Sequence, residues 1–478
     1  MNIADRRTKI VCTIGPSTNT RAKIKELVLA GMNVARLNFS HGSHEDHASV
    51  IDSIRSVAAE LNYNIPILMD LQGPKIRVGK MKDGGQQLKE GTYVTITPED
   101  VEGTPEIIPI DFPNLVEDAE EGNSVLMDDG LLELKILKRN ENRTLTAIVV
   151  VGGLLKPRKG VNLPNVNVRI SSLTEKDIID LEFGLSQGVD FVALSFVRHP
   201  RDVQELVSRI RAKGSNAAII SKVEKPEALD YIDDIIEESD GIMVARGDLG
   251  IEIPNEKVPL VQKMIINKCK AAGKPVITAT QMLDSMIVNP RPTRAESSDV
   301  ANAVLDGTDA VMLSGESASG KYPMEAVRTM AKICKNVEKG TKSIYNNLEF
   351  KKPDWKEKQI VESISYSSVR LSQNVDAKMI AVLTHSGTTA RRIAKYRPQV
   401  PVIAFTSNLE VRRQLNLVWG VQSVKIDELY DTDTAVQVME TFLKEKGYAN
   451  AGDRVIITTG MPLSEKGRTN MIKVASII

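Results

Sequence analysis

The sequence predicts an α/β protein built on a TIM (β/α)8 barrel, and three observations point to this fold class. Eight short, largely β-branched apolar runs recur along the first two thirds of the 478 residues. Such runs are typical of strands buried on both faces of a parallel sheet. Amphipathic helical stretches separate the runs, and one long interval has a different pattern. A doubly wound sheet would show the same local pattern, and the count of eight favours the barrel.

The eight predicted strands share a short apolar stretch that ends at a polar residue or a glycine. Helical stretches between them, such as residues 20–30 and 200–213, have the 3.6-residue apolar spacing of helices that pack around a barrel. The predicted strands lie at residues 8–15, 33–41, 65–73, 190–198, 217–224, 241–248, 275–282 and 309–316. We therefore assign residues 1–72 and 170–340 to the barrel domain.

The interval between the third and fourth strands is too long for a single helical crossover. Residues 73–169 alternate apolar and polar side chains, with turn signals at residues 83–85, 129–130 and 140–142. This alternation is typical of antiparallel β-structure. Insertions in the βα loops of a barrel lie over its mouth. We therefore predict a β-barrel-like lid domain, which excludes water when it closes.

A smaller α/β domain is predicted at residues 341–478, after a polar linker. Its apolar runs again alternate with helical stretches, of which residues 363–372 and 432–446 are examples. The five predicted strands lie at residues 379–384, 400–406, 422–426, 454–459 and 472–477. This arrangement is typical of a separate domain packed around its own core.

The composition indicates no charged polymer as a partner. Basic and acidic residues balance at 62 each, which favours neither nucleic acid nor an anionic membrane surface. The three cysteines are far apart and indicate neither a disulfide framework nor a zinc site. The first residues lack the apolar core of a signal peptide, and no apolar run has the length of a membrane span. We therefore expect a cytoplasmic protein.

Polar residues follow seven of the eight predicted strands, at the rim where a TIM barrel holds its catalytic groups. Charged residues can cap any single strand, but seven converging strand ends favour an active site. Lys222 and Glu224 are two residues apart, so on a strand they project to the same face, and Arg246 and Asp248 repeat this spacing one strand later. The full set is Arg36, Asn38, Ser40, Asp70, Ser195, Lys222, Glu224, Arg246, Asp248, Thr278, Thr280, Ser314 and Glu316.

These paired charges predict a metal that bridges to an anionic substrate. Glu224 and Asp248 form an oxygen site suited to Mg²⁺ or Mn²⁺, and the neighbouring Lys222 and Arg246 suit phosphate oxygens. Two carboxylates could also serve general acid–base chemistry, but the flanking cations favour the metal. Gly247 has no side chain, which lets a ligand approach the backbone closely.

The strings around these residues closely resemble the pyruvate kinase family. NVARLNFSHG, GPKIR, KGVNLP, SKVEK, VARGDLGIEIP and ATQMLDSM occur in this order, each at its expected strand or lid hinge. The resemblance runs from Thr8 to Pro323 and continues more weakly to the C-terminus. It implies metal-dependent transfer of a phosphoryl group from phosphoenolpyruvate to ADP, giving pyruvate and ATP in the last step of glycolysis.

The resemblance also implies individual roles. Glu224 and Asp248 would hold the divalent metal, Lys222 would stabilise the phosphoryl group in flight and the enolate, and Arg36 would hold phosphoryl oxygens. Gly247, Asp248 and Thr280 would seat the substrate carboxylate. The residues predicted to be catalytic are Arg36, Lys222, Arg246 and Thr280, and those predicted to contact the nucleotide are Asn38, His41, Arg77 and Lys159.

One departure from the family concerns the monovalent cation. Asn38, Ser40, Asp70 and the backbone carbonyl of Leu71 match the K⁺ site, but many relatives that require K⁺ carry Glu where this chain has Lys75. A fixed positive charge there resembles the potassium-independent branch, so we expect that K⁺ is not required. The alternative is that Lys75 is only a solvated hinge residue.

An effector site is predicted in the C-terminal domain, where a strand meets a helix start. The backbone amides and hydroxyls of such a turn form an anion-binding concavity. Family members often bind a sugar phosphate or nucleotide at this loop, and residues 467–470 resemble the second loop of the pocket. An ordinary capped helix is the alternative. The predicted effector residues are Thr384, Ser386, Gly387, Thr388 and Thr389. The family is usually homotetrameric.

Two other functions stay open from the sequence. A metal-dependent lyase or aldolase with a pyruvate-enolate intermediate would share the barrel and the carboxylate pair, but it would not need Arg77 and Lys159 in a lid. A catalytically silent metabolite sensor would work through the last domain. The presence of Arg36, Lys222 and both carboxylates argues against the sensor.

Overall fold

The computed structural model describes residues 6–164, 166, 171–340, 356–463 and 469–478, with only the backbone for 356–358. The chain begins with three strands, β1 (Lys9–Thr13), β2 (Val34–Asn38) and β3 (Ile67–Asp70), which alternate with α1 (Arg21–Ala30) and α2 (His44–Leu61). The strands are almost wholly buried. Each helix begins at a hydroxyl cap, which satisfies backbone amides that have no partner inside the helix.

The insertion after β3 is a curled β-structure with its own apolar core. Its strands form a six-stranded sheet in the order β11-β7-β8-β9-β5-β6, beside a two-stranded sheet of β4 and β10. Its elements are β4 (Gln86–Leu88), β5 (Tyr93–Thr97), β6 (Ile107–Pro109), α3 (Leu115–Asp118), β7 (Ser124–Met127), β8 (Leu132–Arg139), β9 (Leu145–Val151), β10 (Gly153–Leu155) and β11 (Val161–Asn162). The sheet is mixed, because β5 and β6 pair in parallel, which differs from the purely antiparallel pattern expected.

The remaining five barrel strands complete a closed parallel barrel in the order β1-β16-β15-β14-β13-β12-β3-β2. Its elements are α4 (Glu175–Ser186), β12 (Phe191–Leu194), α5 (Pro200–Ala212), β13 (Ala218–Val223), α6 (Glu227–Asp230), α7 (Ile232–Glu238), β14 (Gly241–Ala245), α8 (Arg246–Glu252), α9 (Val258–Ala272), β15 (Val276–Ala279), α10 (Arg294–Asp306), β16 (Ala310–Leu313), α11 (Gly315–Ala318) and α12 (Pro323–Gly340). Each barrel strand lies inside its predicted run, so the predicted fold class is confirmed.

The C-terminal domain is a five-stranded sheet in the order β19-β18-β17-β20-β21, parallel except for the last strand. Its elements are α13 (Lys356–Asn374), β17 (Met379–Leu383), α14 (Thr388–Lys395), β18 (Val402–Thr406), α15 (Leu409–Gln414), β19 (Val421–Lys425), α16 (Thr432–Glu445), β20 (Arg454–Thr459) and β21 (Met471–Ser476). It packs on the amino-terminal ends of the barrel strands, where Arg397 forms an ion pair with Asp309 at 3.0 Å.

No helix in the described part of the chain is both long and apolar enough to cross a membrane.

Candidate active site

Lys222 lies at the centre of a buried polar network at the carboxyl ends of the barrel strands. Its Nζ atom lies 2.8 Å from Oε1 of Glu224 and 3.2 Å from Oδ1 of Asp70, and it donates a 2.7 Å hydrogen bond to Oγ of Ser195. Burial by itself lowers the pKa of Lys222, but Asp70 and Glu224 raise it above its ordinary value. The side chain is therefore a fixed cation at neutral pH.

Arg36 is held by the same carboxylate. Its Nε and Nη2 atoms lie 2.7 and 2.6 Å from Oδ2 of Asp70. Its Nη1 atom donates a 2.8 Å hydrogen bond to Oγ1 of Thr13. Burial raises the pKa of Asp70, but Lys222 and Arg36 lower it below its ordinary value overall. Asp70 thus orients two cations toward one side of the barrel mouth.

The two carboxylates predicted to bind metal differ in their surroundings. Glu224 is buried and accepts a 2.9 Å hydrogen bond from the backbone N–H of Phe196, while Asp248 is half-buried and lacks a hydrogen-bond donor or ion pair among the described residues. Burial raises the pKa of Glu224, and the charge of Asp248 adds to this increase while Lys222 opposes it.

This donor set fits a divalent metal that shares its coordination with substrate. No cluster of three or more His, Cys, Asp or Glu ligands occurs in the described ranges. Mg²⁺ needs no such cluster, since one or two carboxylates plus substrate and water oxygens are its usual ligands.

Gly247, which precedes Asp248, contacts Thr280 at the end of the neighbouring strand β15. The backbone N–H of Gly247 donates 2.7 Å to Oγ1 of Thr280, and Thr280 has a φ of +67°. A β-branched residue rarely adopts this left-handed conformation, which costs energy and is typical of functional sites. The following residue, Gln281, is left-handed as well.

Arg246 differs from the strand geometry expected of it. The strand ends at Ala245, and Arg246 and Asp248 lie in the first turn of α8, where side chains two positions apart diverge by about 200°. The guanidinium of Arg246 donates a 2.7 Å hydrogen bond to the carboxylate of Asp299 and a 2.8 Å hydrogen bond to the carbonyl of Thr280. It therefore holds the loop that carries Thr280, whereas Asp248 lines the pocket.

A pocket lies between the insertion and the barrel. Residues of both domains line it: Pro74, Lys75, Ile76, Asp129, Gly160, Val161, Asn162, Phe196, Arg198, Lys225 and Asp248. Lys75 is exposed and has no ion pair with any described residue. Lys159 pairs with Asp128 at 2.7 Å, and Arg77 donates 3.1 Å to the carbonyl of Arg158. Neither Arg77 nor Lys159 lines the pocket, but each is adjacent in sequence to a residue that does, Ile76 and Gly160 respectively.

The loop after β2 holds the other predicted contacts. The side-chain oxygen of Asn38 accepts 3.1 Å from the backbone N–H of Ser40, and His41 is exposed. The carbonyl of Leu71 accepts 2.7 Å from the Ser195 hydroxyl. Asn38 and Asp70 are directly paired across β2 and β3, so these residues share one edge of the barrel mouth.

Two features of the site were missed by the sequence reasoning. Ser195 was recognised only as a polar strand end, whereas it supports Lys222 directly. Asn162 of the insertion donates 2.8 Å to Glu252 of α8, and Lys225 contacts the same carboxylate oxygen at 2.6 Å. The KGVNLP string contains Asn162, but its partner 90 residues away had no signal in the sequence.

The predicted effector loop joins β17 to α14. The hydroxyl of Thr384 accepts 3.0 Å from the N–H of Gly387, and exposed Ser386 and Thr388 contact each other at 2.9 Å. The hydroxyl oxygens of Thr389 and Thr469 lie 2.5 Å apart, which links the loop to the residues that precede β21. Residues 467 and 468 of the second predicted loop lie outside the described residues.

Comparison with known proteins identifies the family. A family model for the pyruvate kinase barrel domain matches residues 5–327, and one for the pyruvate kinase alpha/beta domain matches residues 362–475. The chain belongs to the pyruvate kinase family. The catalysed reaction is therefore phosphoryl transfer from phosphoenolpyruvate to ADP, with pyruvate as a product, and enzymes of this family generally depend on a metal.

Individual relatives support this conclusion. The chain is 49% identical to a pyruvate kinase of Staphylococcus saprophyticus and 48% identical to one of Staphylococcus aureus; each alignment covers 98% of this chain and 80% of the relative. A crystal structure of a pyruvate kinase from Cryptosporidium parvum superposes with a TM-score of 0.93 at 39% identity, covering 100% of this chain and 97% of that chain. These matches give no support to the lyase alternative.

Proposed function

We propose that Glu224 and Asp248 hold the divalent metal, Mg²⁺ or Mn²⁺, on which phosphoryl transfer depends. The observation that carries this assignment is the carboxylate of Asp248, a residue that lines the pocket and has no hydrogen-bond donor or ion pair among the described residues. Glu224 supplies a second, buried carboxylate on the neighbouring strand end. A metal bound by both would neutralise negative charge on substrate oxygens during phosphoryl transfer.

Lys222 and Arg36 are the cations that we assign to the phosphoryl group. The bond between phosphorus and the enol oxygen breaks while a new bond forms to a terminal phosphate oxygen of ADP. The bonding electrons stay on the enol oxygen, where a fixed ammonium group stabilises the developing charge. The enolate then takes a proton from water at its methylene carbon, which gives pyruvate.

The substrate carboxylate is assigned to Gly247, Thr280 and Asp248. The N–H of Gly247 donates to the hydroxyl oxygen of Thr280, and that hydroxyl donates to the carbonyl of Ala279. In this proposal both donors turn to a carboxylate oxygen of the substrate, while Asp248 would reach it through the metal. Arg246, predicted as catalytic, is assigned a positioning role because its donors are used by Asp299 and Thr280.

The nucleotide is assigned to the cleft under the insertion. Asn38 and His41 would contact ADP from the barrel, and Arg77 and Lys159 from the insertion. Lys159 would exchange its ion pair with Asp128 for nucleotide phosphate. In this proposal residues 73–169 form a lid, hinged on a barrel of residues 1–72 and 170–340.

We propose that K⁺ is not required. The ammonium group of Lys75 lines the pocket between lid and barrel and supplies a fixed positive charge there. Asn38, Ser40, Asp70 and Leu71 would form a K⁺ site in relatives, but here Asp70 is already neutralised by Lys222 and Arg36.

Residues 341–478 are proposed as a regulatory domain. Thr384, Ser386, Gly387, Thr388 and Thr389 would bind a sugar-phosphate or nucleotide effector, because exposed hydroxyls and helix amides converge in this loop. We further propose that the enzyme is a cytoplasmic homotetramer.

The metal assignment is tested by Mn²⁺ binding, measured by electron paramagnetic resonance without substrate, beside steady-state activity. Asp248→Asn and Glu224→Gln are expected to weaken Mn²⁺ binding at least about tenfold, since each removes one of two charged ligands. Asp128→Asn, a carboxylate in the insertion, serves as the matched control and should bind Mn²⁺ normally. Unchanged Mn²⁺ binding in both test variants would refute the assignment.

A further inference from the structure

A second cavity lies at the opposite end of the barrel from the active site. Its volume is about 210 Å³, and it is lined by the end of α2, by the loop that leads into β3, and by α15 of the C-terminal domain. Because α2 ends just before β3 begins, the cavity lies at the amino-terminal ends of the barrel strands. Its charged lining residues are Arg55, Arg412 and Arg413.

One carboxylate compensates this group of arginines. Asp190 pairs with Arg55 at 3.0 Å and with Nε of Arg413. The Asp190 side chain is only 1% exposed and also accepts 2.8 Å from the backbone N–H of Ile67. The acidic neighbour Glu410 accepts a hydrogen bond from Asn216 instead and does not line the cavity. Three guanidinium groups beside one carboxylate give this cluster a net charge of about +2, although Arg55 and Arg413 are both paired with Asp190.

Arg412 is the uncompensated member. Its Nε atom is buried without a hydrogen-bond partner in the part of the chain that the structure describes, and its guanidinium forms no ion pair there. Burial, together with the charge of Arg413, lowers the pKa of Arg412. A buried donor and an unpaired charge are costly unless a ligand satisfies them.

We propose that this cavity binds a phosphorylated small molecule through Arg412 and Arg413. A phosphate monoester carries close to two negative charges at neutral pH, since its second pKa is about 6, which matches the net positive charge of the arginine cluster. Guanidinium groups hold phosphate oxygens by paired N–H donors. Asn62 and Asn64 line the same cavity and offer amide groups to the rest of the ligand. The site is separate from the proposed effector loop and does not depend on it.

A ligand in this cavity would contact both the barrel and the C-terminal domain. Arg55 belongs to the barrel, whereas Arg412 and Arg413 belong to α15. An anion held between them ties the C-terminal domain to the barrel and stabilises the docked arrangement by mass action.

Calorimetric titration with inorganic phosphate tests the site in the full-length enzyme. The titration is run with saturating phosphoenolpyruvate and divalent metal and without ADP, so that the barrel site is occupied. All titrated proteins carry Thr388→Val, a substitution that weakens anion binding at the proposed effector loop. The enzyme with this substitution alone is called the background. Arg412→Gln is expected to weaken the phosphate binding that persists in this background at least about tenfold, since a hydrogen bond to a charged group is lost. Arg412→Lys should retain part of it.

Arg370→Gln is the matched control, because Arg370 is exposed on α13 and its side chain hydrogen-bonds to no described residue other than Gln373. It should bind phosphate as the background does. A crystal grown with phosphate should show the anion beside Arg412. Equal affinity and stoichiometry in Arg412→Gln and the background, or no phosphate binding in the background, would overturn the proposal.

Discussion

The ammonium nitrogen of Lys222 donates a 2.7 Å hydrogen bond to the hydroxyl oxygen of Ser195, which in turn donates 2.7 Å to the carbonyl of Leu71. The three residues lie at the carboxyl-terminal ends of three neighbouring barrel strands. Carboxylates fix the charge of Lys222, and this chain of hydroxyl and carbonyl fixes its direction. Direction matters because phosphoryl transfer depends on positioned charge more than on covalent chemistry.

Ser195→Ala is therefore expected to lower kcat about tenfold while the KM for phosphoenolpyruvate changes less than twofold, since it misplaces a charge needed most in the transition state. Pyruvate formation coupled to lactate dehydrogenase measures both constants. Ser221→Ala is the control: this buried hydroxyl on the same strand as Lys222 contacts Ser239, so its loss affects stability and leaves kcat unchanged. A Ser195→Ala enzyme with normal kcat would contradict the positioning role.

Lys222→Met is expected to reduce kcat/KM by at least about 10³-fold, because the cation assigned to the phosphoryl group and the enolate is lost. The same coupled assay measures the loss. Removal of the ammonium also leaves Asp70 and Glu224 less compensated, so circular dichroism must show a folded protein. Lys222→Arg retains the charge in a different shape and should keep more activity than Met. A folded Lys222→Met enzyme with more than a tenth of normal activity would contradict the assignment.

The barrel could be predicted because local sequence determines where buried parallel strands start and stop. Gly241–Ala245, for example, lies within a predicted run bounded by polar residues. The parallel pairing of Tyr93–Thr97 with Ile107–Pro109 could not be predicted, because alternation of apolar residues does not specify which strand is the neighbour.

In the candidate site, too, contacts set by local strand geometry could be predicted, whereas contacts between domains could not. The spacing of Lys222 and Glu224 holds because the chain stays extended, and their side chains meet at 2.8 Å. The same spacing gave a wrong prediction for Arg246 and Asp248, because both residues lie in a helix and their side chains point in different directions. The contact of Asn162 with Glu252 depends on how the insertion docks, which short-range patterns do not encode.

The charge of Lys75 leads to a prediction about salt. The natural enzyme is expected to reach full activity without K⁺, whereas Lys75→Glu should require K⁺, because it replaces the fixed cation with a carboxylate that needs one. Activity is measured in tetramethylammonium buffer with and without added KCl. Lys82→Glu, an equal charge reversal at an exposed position of the insertion, should stay independent of K⁺. A natural enzyme that needs K⁺ would rule out the role given to Lys75.

Arg246 supports the strained loop of Thr280. Arg246→Leu removes hydrogen bonds to the carbonyls of Thr280 and Ala279, so the left-handed conformation of Thr280 should relax. The KM for phosphoenolpyruvate is expected to rise about tenfold, the cost of one or two charged hydrogen bonds, with a smaller change for ADP. Asp299→Asn, which keeps the arginine but weakens its anchor, should show a smaller increase of the same kind. Equal increases for both substrates would indicate general unfolding of the site.

The junction of barrel and C-terminal domain should respond to pH through Lys9. Its Nζ donates 2.7 Å to the carbonyl of Val421, and burial, with the charge of Arg6, lowers the pKa of Lys9 to about 7, although Glu338 and Asp309 oppose this. Between the folded pKa and the ordinary value of 10.5, the unfolded chain binds the proton that the folded protein releases. Stability contributed at this residue therefore rises with pH across that window and is lowest below pH 7.

Lys9→Met removes the titrating group, so its stability relative to the natural enzyme should be more favourable at pH 6.5 than at pH 9.5. The free energy of unfolding of Lys9→Met minus that of the natural enzyme should fall by on the order of 3 kcal/mol from pH 6.5 to pH 9.5, since one pKa unit corresponds to about 1.36 kcal/mol. Thermal midpoints of both proteins at the two pH values measure it. Lys23→Met, a change at an exposed lysine of α1, should show no such trend. A difference that is constant or grows with pH would show that Lys9 keeps its proton when buried.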